Sequence, residues 1–366
     1  MSKEKIRVGV IGLTPGYHWA AISHIPALIH LNEIYSIVGV ANRTAESSAN
    51  AASAFGIPNA FSNVNDLINC QDIDLVVVTV KVPHHKELVS AALNAGKHVY
   101  CEWPLGVELN EARELSALAE RKNLVAVVGT QARVSIETEY LRELLAGGYV
   151  GRVVSTTIIG SGGHWSSETT SDYKYLFDKF NGATMQSIPM AHTLAAMREV
   201  LGEFKNLSAR FVRNVDSVRV VDEGGSILST TPNQIMIHGE LAGGAAASIH
   251  YRGGSSRGTN FLWEINGEEG DIQITANSGH FQFEKLVIQG ARGTNRTLAP
   301  LVPPRDQYNG WPEDPTVRNV ARIYRRLADD INNGSNSAPA FRDAVILHEL
   351  VEKIERSAEY LNSVNV

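Results

Sequence analysis

A glycine-containing turn near the start of the sequence has the composition of a phosphate-binding loop. Residues 9–18 are Gly-Val-Ile-Gly-Leu-Thr-Pro-Gly-Tyr-His, between a short apolar run and a helical pattern. In the Gly-x-Gly-x-x-Gly turn of doubly wound folds, backbone N–H groups and a helix N-terminus face a pyrophosphate. Gly12 matches the first glycine, Thr14 replaces the second, and the third is absent. The turn predicts a dinucleotide site that includes Gly12, Leu13 and Thr14; a purely structural turn is the alternative.

The end of the second predicted strand bears on the choice of coenzyme. NAD sites usually place an Asp or Glu there, which binds the ribose hydroxyls. Residues 40–44 are Val-Ala-Asn-Arg-Thr and contain no acid. The guanidinium of Arg43 could instead pair with a 2′-phosphate. Asn42 and Arg43 therefore predict a site that prefers NADP, with NAD as the alternative; the competing interpretation makes Arg43 a solvent-exposed helix residue.

Side chains that could move a proton lie at two further places. Lys81 and the pair His84-His85 follow a predicted strand, and His192 lies on a helical pattern in the second half of the chain. An imidazole is suited to accept a hydroxyl proton near pH 7. The adjacent histidines have no Cys, Asp or Glu at ligand spacing, so the sequence predicts no metal site.

The elements that position these residues alternate in the first third of the chain. Short, nearly all-apolar runs separated by helical patterns are typical of a parallel sheet covered on both faces. Their number predicts a doubly wound, Rossmann-type domain at residues 1–131. The predicted strands are residues 7–11, 36–41, 75–80, 98–101 and 125–128, and the predicted helices are residues 19–31, 45–55, 87–94 and 109–121.

The pattern changes after residue 131. Many segments alternate apolar and polar residues and are joined by short glycine turns, which predicts an open, largely antiparallel sheet with one exposed face. We assign residues 132–366 to a substrate and oligomerisation domain of the α+β class, with C-terminal helices at residues 314–332 and 342–360. An exposed sheet face commonly becomes an interface, so a homodimer or homotetramer through this sheet is expected. The predicted strands are residues 152–159, 207–212, 233–242, 245–251, 261–265, 272–275 and 281–289, after a helix at residues 137–146.

Composition limits the classes of partner. The chain has 366 residues and a net charge of −6, which argues against nucleic acid, because phosphate binding needs clustered cations. Two cysteines in a chain of this size predict a reducing compartment. Neither a signal-peptide pattern nor an apolar run of about eighteen residues is present. A cytoplasmic protein that does not cross a membrane is expected.

Residues 96–105, Gly-Lys-His-Val-Tyr-Cys-Glu-Trp-Pro-Leu, resemble the Gly-Lys-His-Val-x-Cys-Glu-Lys-Pro-Leu pattern of the glucose–fructose oxidoreductase, inositol dehydrogenase and MocA family (Gfo/Idh/MocA). The resemblance implies that Glu102 and Trp103 lie at the coenzyme. It also implies that residue 103 lies beside the substrate, where the family has a lysine that helps to move a proton. An indole has one N–H donor and no proton to exchange near neutral pH. The chain thus resembles a dehydrogenase that lacks its usual lysine.

The same resemblance assigns further site residues. The loop after the fourth-unit strand would lie under the nicotinamide, which implies coenzyme contacts for Thr79 and His85 and makes Lys81 a substitute proton carrier. The family's Gly-Gly-Gly-x-x-x-Asp-x-Gly-x-His-x-x-Asp pattern matches residues 182–195, where His192 is kept. Ile188 and Ala195 stand in place of the two aspartates. Catalysis is therefore expected to use His192 or Lys81.

Pieces along almost the whole chain resemble one branch of this family, typified by the fungal galactose-regulon repressor. The branch resemblance includes Glu102-Trp103, Gln131, Arg133 and residues 160–163. Aromatic and polar residues expected to face the pocket would suit stacking on a sugar ring. The predicted substrate-binding residues are Trp103, Gln131, Arg133, His164, Trp165, Lys174 and Tyr175.

Two functions from different classes follow from these features. The first is an NADP-dependent oxidoreductase acting on a hydroxyl or carbonyl group of a sugar or polyol. The alternative is a non-catalytic NAD(P)-binding regulator, in which coenzyme or sugar occupancy sets the affinity for a partner protein. The resemblance to a family of enzymes favours the first function, and the loss of the family lysine at Trp103 and of the aspartate at Ile188 favours the second.

Overall fold

The structure, a computed structural model, describes residues 4–360 and divides into two compact units. The first unit comprises the chain up to Gln131 together with Gly310–His348. The second comprises Ala132–Asn309 and the chain from Glu349 onward. Residues 1–3 and 361–366, at the ends of the two predicted domains, lie outside the described residues.

Strands and helices alternate up to residue 129, and strands dominate between residues 153 and 300. The strands are β1 (Ile6–Ile11), β2 (Tyr35–Ala41), β3 (Asn59–Phe61), β4 (Leu75–Val78), β5 (His98–Glu102), β6 (Ala126–Gly129), β7 (Val153–Ser161), β8 (Glu168–Thr169), β9 (Phe204–Val212), β10 (Ser217–Val220), β11 (Ser226–Leu228), β12 (Gln234–Leu241), β13 (Ala246–Arg252), β14 (Phe261–Gly267), β15 (Gly270–Ala276), β16 (Val287–Arg292) and β17 (Ala299–Pro300). The helices are α1 (Ile25–His30), α2 (Ala45–Phe55), α3 (Val64–Asn69), α4 (His85–Asn94), α5 (Leu109–Lys122), α6 (Ile136–Ala146), α7 (Ala191–Leu201), α8 (Pro315–Asn333) and α9 (Phe341–Tyr360). Two π-helical turns, Ala20–His24 and Gln186–Met190, lead directly into α1 and α7.

The first unit is built on a six-stranded parallel sheet in the order β3-β2-β1-β4-β5-β6. Every residue of β4 and β6 is buried, as expected when helices cover both faces of a sheet. The strand order changes direction between β1 and β4, and ligands of such folds bind beyond the carboxyl ends of the strands at this point. The predicted doubly wound Rossmann fold is confirmed.

The second unit contains an eight-stranded sheet in the order β17-β16-β15-β14-β7-β13-β12-β9. Neighbouring strands are antiparallel except for the parallel pair β7 and β13. Buried and more accessible residues alternate along β12 and β13, the pattern of a sheet that packs on one face. The predicted largely antiparallel sheet is therefore confirmed. Across residues 4–360, no helix is long and apolar enough to cross a membrane.

The C-terminal helices match their predicted bounds to within one residue, but the segment Gly310–His348 belongs to the first unit rather than to the second. Tyr324 on α8 is fully buried, and its hydroxyl lies 2.8 Å from His24 Nδ1. Its carbonyl accepts a hydrogen bond from the Tyr35 hydroxyl at 2.7 Å. The segment also covers the edge strand β6 through a backbone hydrogen bond of 2.8 Å. Helical periodicity predicts α8 but does not reveal which domain its apolar face packs against.

Several local predictions differ from the structure. The sequence interpretation missed the helix α3 and the strands β3, β8, β10, β11 and β17, all of which are too short to give a periodic signal. The predicted strand at residues 281–289 is present only from Val287. Phe281 is instead a core residue, with ring centroids 5.6 Å from Phe261 and 5.9 Å from Trp263. Its apolar side chain serves packing and not a strand ladder.

The buried contact between Tyr324 and His24 generates a stability prediction. Tyr324→Phe should lower the free energy of unfolding by about 1–3 kcal/mol, because it leaves His24 Nδ1 buried without a partner. Urea unfolding followed by intrinsic fluorescence measures the loss. The matched control is Tyr360→Phe, where the side chain is 76% exposed and the change should stay within about 0.5 kcal/mol. Equal small effects of the two substitutions would contradict this account of how α8 is held.

Candidate functional site

The phosphate-loop glycine is fixed by a close backbone approach at the switch point of the first sheet. Gly12 has φ +96°, in the left-handed region that favours glycine. A Cβ at Gly12 would lie 2.7 Å from Val80 Cγ1 and 3.0 Å from the Val80 backbone nitrogen. Thr79 ties the same turn to the end of β4, because its hydroxyl lies 3.0 Å from the Ile11 carbonyl and 3.1 Å from the Gly12 carbonyl. The turn is thus a cradle that a side chain at residue 12 would fill.

The rest of the turn is open and is anchored by Asn42. Thr14 is exposed, whereas the side chain of Leu13 is fully buried, so Leu13 offers a ligand its backbone and not its side chain. Asn42 Nδ2 donates to the Leu13 carbonyl at 2.7 Å and to the Ser47 carbonyl at 3.0 Å. Asn42 therefore fastens the turn to α2. Arg43 is the next residue and is exposed, as a phosphate-binding guanidinium would need to be.

The end of β5 is held by a buried polar network. His24 Nε2 lies 2.9 Å from Glu102 Oε1. The other ring nitrogen of His24 contacts the Tyr324 hydroxyl. Gly129, opposite Glu102 on β6, leaves room for the carboxylate, because a Cβ there would collide with it. These contacts fix the backbone from which Trp103 projects.

Trp103 is 4% exposed, and its peptide bond to Pro104 is cis. Its ring centroid lies 4.6 Å from that of His348 on α9. His85 fastens the same turn to the loop after β4: its Nδ1 lies 2.8 Å from the Pro104 carbonyl and its Nε2 2.9 Å from the Val80 carbonyl. The structure thus gives His85 a positioning role; its contact with coenzyme stays a prediction. Lys81, earlier in that loop, is exposed.

In the second unit, His192 lies on the first turn of α7, directly after a π-helical turn that contains Pro189. The neighbouring Thr193 hydroxyl contacts the Tyr251 hydroxyl at 2.6 Å, which fixes the orientation of this helix end. His192 is 3% exposed, and its Nδ1 is buried without a hydrogen-bond partner among residues 4–360. Burial, with a smaller contribution from His280, lowers the pKa of His192 to about 3. His192 is therefore neutral at physiological pH.

Aromatic rings surround a second histidine that the sequence interpretation missed. His280 stacks between Trp165 and Phe283, at centroid distances of 6.3 and 5.0 Å. Burial lowers its pKa to about 3 as well. His164 lies 6.4 Å from His280 and stacks on Tyr173 at 4.3 Å. A lone histidine beside an apolar segment gives no local sequence signal, so His280 could not have been found that way.

The remaining predicted substrate residues are engaged within their own units. Arg133 Nε donates to Glu199 Oε1 at 2.7 Å, and Lys174 Nζ donates to Glu223 Oε2 at 2.6 Å. Trp165 is buried, and its indole N–H donates to the Leu176 carbonyl at 3.1 Å.

Tyr175 and Gln131 complete the predicted set. Burial raises the pKa of the Tyr175 hydroxyl. Gln131 is 1% exposed and ends the first unit. Over residues 4–360, no group of three or more His, Cys, Asp or Glu side chains is arranged to hold a metal ion.

The low pKa of His192 generates a pH prediction. Between its ordinary pKa of 6.5 and about 3, the unfolded chain binds a proton that the folded protein does not. Acidification through this range should therefore lower the free energy of unfolding by at most about 1.4 kcal/mol per pH unit for this residue. His192→Gln should make the dependence shallower by that amount in denaturant titrations between pH 6 and pH 4, roughly the window that these pKa values define. His238→Gln, on the exposed part of β12, is the control; profiles of both variants parallel to the wild type would refute the buried neutral state.

Two family models match the two parts of the chain. The model described as "Oxidoreductase family, NAD-binding Rossmann fold" matches residues 6–130. The model described as "Gal80p, C-terminal domain" matches residues 137–276. The first unit is accordingly an NAD-binding Rossmann fold of the oxidoreductase family.

Relatives of similar length include a regulator and dehydrogenases. The galactose/lactose metabolism regulatory protein GAL80 of Kluyveromyces lactis is 26% identical over all of this chain and 96% of its own length. The structure of the transcriptional regulator Gal80p from the same organism has a TM-score of 0.85 at 28% identity, and the match covers 98% of this chain and 93% of that one. Dehydrogenase aclE of Aspergillus oryzae is 28% identical over 98% of this chain and 97% of its own.

A levoglucosan dehydrogenase solved with NADH and levoglucosan has the same fold, with a TM-score of 0.83 at 22% identity over 97% of this chain and 98% of that one. The two family models and the relatives of matching length agree with the family resemblance that the sequence indicates. The resemblance to the Gfo/Idh/MocA family, in a branch similar to Gal80, is therefore confirmed for the two matched parts of the chain, residues 6–130 and 137–276.

Proposed function

We propose that the chain is an NAD(P)-dependent oxidoreductase that acts on a hydroxyl or carbonyl group of a sugar or polyol. The observation that carries this proposal is the neutral, buried His192, whose Nδ1 has no hydrogen-bond partner among the residues described. A buried polar atom without a partner costs about 1–3 kcal/mol, and a ligand hydroxyl would remove that cost. The similarity to dehydrogenase aclE over nearly the full length supports an enzyme.

The residues of the first unit fit a dinucleotide. The left-handed backbone of Gly12 and the space that a Cβ would fill provide a close approach for a pyrophosphate. Asn42 holds this turn in place through two hydrogen bonds. When bound, the nicotinamide would supply the hydride acceptor or donor for the substrate carbon.

His192 would handle the hydroxyl proton of the substrate. In the direction of oxidation, the C–H bond breaks with its electron pair leaving as hydride, and the O–H proton passes to the imidazole. Burial lowers the pKa of His192 from 6.5 to about 3. Protonation of His192 in the folded protein is therefore roughly 5 kcal/mol less favourable than protonation of an ordinary histidine. His192 is therefore a weak base that accepts the proton as the hydride leaves and not before. Lys81, exposed in the loop after β4, is the second group proposed to carry this proton.

A non-catalytic NAD(P)-binding regulator is the second candidate function, and Trp103 is the observation that favours it. The indole at residue 103 cannot exchange a proton near neutral pH, and the residue is buried against His348. The similarity to the regulatory protein GAL80 over nearly the full length points the same way. In this function, occupancy by coenzyme or sugar sets the affinity for a partner protein.

The proposal extends to assembly and location. We propose a homodimer or homotetramer through the eight-stranded sheet, supported by the accessible residues that alternate along β12 and β13. A cytoplasmic location is supported by Cys70 and Cys101, which are both free thiols. A protein partner belongs to the regulator function alone.

We predict that Arg43→Ala weakens NADP binding by about 1–3 kcal/mol, the range for a lost charge-assisted hydrogen bond, and leaves NAD binding almost unchanged. The reason is that an exposed guanidinium at this position would pair with the 2′-phosphate. Isothermal titration with each coenzyme measures both affinities. Arg257→Ala, at an exposed arginine of the second unit, is the control. Equal losses for the two coenzymes would exclude the proposed NADP preference.

We also predict that His192→Ala lowers turnover by about 10²–10⁴-fold, because it removes the group that accepts the hydroxyl proton, while coenzyme affinity is retained. Steady-state coenzyme reduction measures the rate, and His238→Ala serves as the control. A non-catalytic regulator has no rate to lose and keeps its coenzyme affinity in both variants. Undiminished turnover in His192→Ala would rule out this proton route and make Lys81 the next residue to substitute.

A further inference from the structure

The hydroxyl of Tyr251, near the end of β13, meets two other segments of the second unit. It lies 2.6 Å from the Thr193 hydroxyl on α7 and 3.1 Å from the Gly279 carbonyl in the loop after β15. A longer contact of 3.4 Å reaches the Pro189 carbonyl in the π-helical turn before α7. Tyr251 and Thr193 are both fully buried, so the contact between their hydroxyls is shielded from solvent.

Each of these two segments carries a histidine beside its contact with Tyr251. His192 directly precedes Thr193, and His280 directly follows Gly279. Both histidines are buried, and they are close enough for His280 to contribute to the lowered pKa of His192. The Tyr251 hydroxyl is therefore the point that the two histidine-bearing segments share.

The hydrogen bonds at this point require both hydroxyls. A carbonyl oxygen only accepts, so among these four groups the donors are the hydroxyls of Tyr251 and Thr193. Two hydroxyl oxygens 2.6 Å apart share one proton, which leaves the other proton for a carbonyl. Burial raises the pKa of Tyr251 above its ordinary value, so this side chain keeps its proton. Tyr251 therefore joins segments and does not act as an acid or base.

Two glycines make room for this arrangement on β7. Gly160 pairs with Tyr251 in the parallel ladder of β7 and β13, and a Cβ at Gly160 would collide with the tyrosine ring. A Cβ at Gly279 would collide with the backbone of Ser161, whose carbonyl accepts a hydrogen bond of 3.0 Å from the Gly279 N–H. The ring and the loop both lie close against β7, which gives the Tyr251 hydroxyl a defined position.

We infer that Tyr251 is a positioning residue that sets where His192 and His280 lie relative to each other. Through Thr193 it holds the first turn of α7, and through the Gly279 carbonyl it holds the start of the loop that carries His280. The consequence for catalysis rests on the proposed function, in which His192 accepts the substrate proton in the orientation that these contacts give it. The positioning itself does not require that hydride transfer occurs.

Tyr251→Phe tests this role, because it keeps the ring and removes only the hydroxyl. Nitrogen–proton NMR of the full chain with isotope-labelled histidine reports on each imidazole. The signals of His192 and His280, assigned from His192→Gln and His280→Gln, should both shift in this variant. Tyr149→Phe is the matched control, because it makes the same change at a half-buried tyrosine of the same unit, and both signals should stay in place there.

Thr193→Val separates the two branches, because it removes the contact with α7 and leaves the Tyr251 hydroxyl able to donate to the Gly279 carbonyl. The His192 signal should shift while the His280 signal stays in place, and Thr193→Ser, which keeps a hydroxyl, should restore the His192 signal. This pair of variants decides the matter where Tyr251→Phe does not fold. The inference is overturned when the His192 signal is unchanged in Thr193→Val, or when Tyr251→Phe shifts neither signal or only one of them.

Turnover gives a second readout in an active protein. Tyr251→Phe and Thr193→Val should each lower kcat by about 10- to 100-fold, the effect of a small displacement of a reacting group, with KM nearly unchanged. The double variant should lose no more than the larger single loss, because both substitutions break one hydrogen-bonded unit. A protein without turnover would end the enzyme proposal and leave the NMR signals to decide on the positioning. Shifted histidine signals with undiminished kcat would overturn the catalytic consequence.

Discussion

The contact between His24 Nε2 and Glu102 Oε1, 2.9 Å apart and buried, holds the first unit in the form that its site requires. A buried carboxylate without a partner costs several kcal/mol, so the contact with His24 stabilises Glu102 at the end of β5. The other ring nitrogen of His24 contacts the hydroxyl of Tyr324 on α8. Gly129 on β6 leaves space for the Glu102 carboxylate, because it has no side chain. One histidine thus joins the first helical segment, the central strands and a C-terminal helix. Trp103 follows Glu102 directly and owes its position to this network.

Each unit contains buried histidines whose pKa is lowered by burial, so that they are neutral at physiological pH. In the first unit, the indole of Trp103 lies against His348, which is kept neutral by burial. In the second, His192 and His280 are kept neutral by burial. Such groups bind hydroxyls and amides well, because they need no counter-ion, but they are weak bases. The same chemistry therefore suits a slow oxidoreductase and a ligand sensor, and the difference between them lies in whether a proton is transferred.

Much of the architecture could be predicted from the sequence because its strands follow simple patterns. Runs such as Leu75–Val78 are wholly apolar and buried, and β12 and β13 alternate as a one-sided sheet does. The placement of α8 could not be predicted, since its contact with the first unit depends on Tyr324 meeting residues about 300 positions away in sequence. Short elements such as β3 were not predicted, because three residues are too few to show a periodic pattern.

The site was less predictable than the fold for a physical reason. The glycine turn and the Glu102-Trp103 pair have local patterns, and the structure gives Gly12 a backbone that requires glycine. The ring contacts of His280 with Trp165 and of His348 with Trp103 join residues that are far apart in sequence. Residue type alone therefore does not predict that these histidines belong to a site. The branch resemblance predicts Arg133 and Lys174 as ligand contacts, and in the structure each of them pairs with a glutamate within its own unit. A sequence does not show which charges are already paired.

The enzyme account is tested most directly by the reduction of coenzyme by the wild-type protein. Purified protein would be mixed with NADP or NAD and each member of a panel of aldoses, uronates and inositols, and absorbance at the reduced-nicotinamide band would be followed over time. The account predicts a steady increase with at least one sugar or polyol, faster with NADP than with NAD. Binding of coenzyme without any increase across the whole panel would contradict it and leave the regulator function in its place.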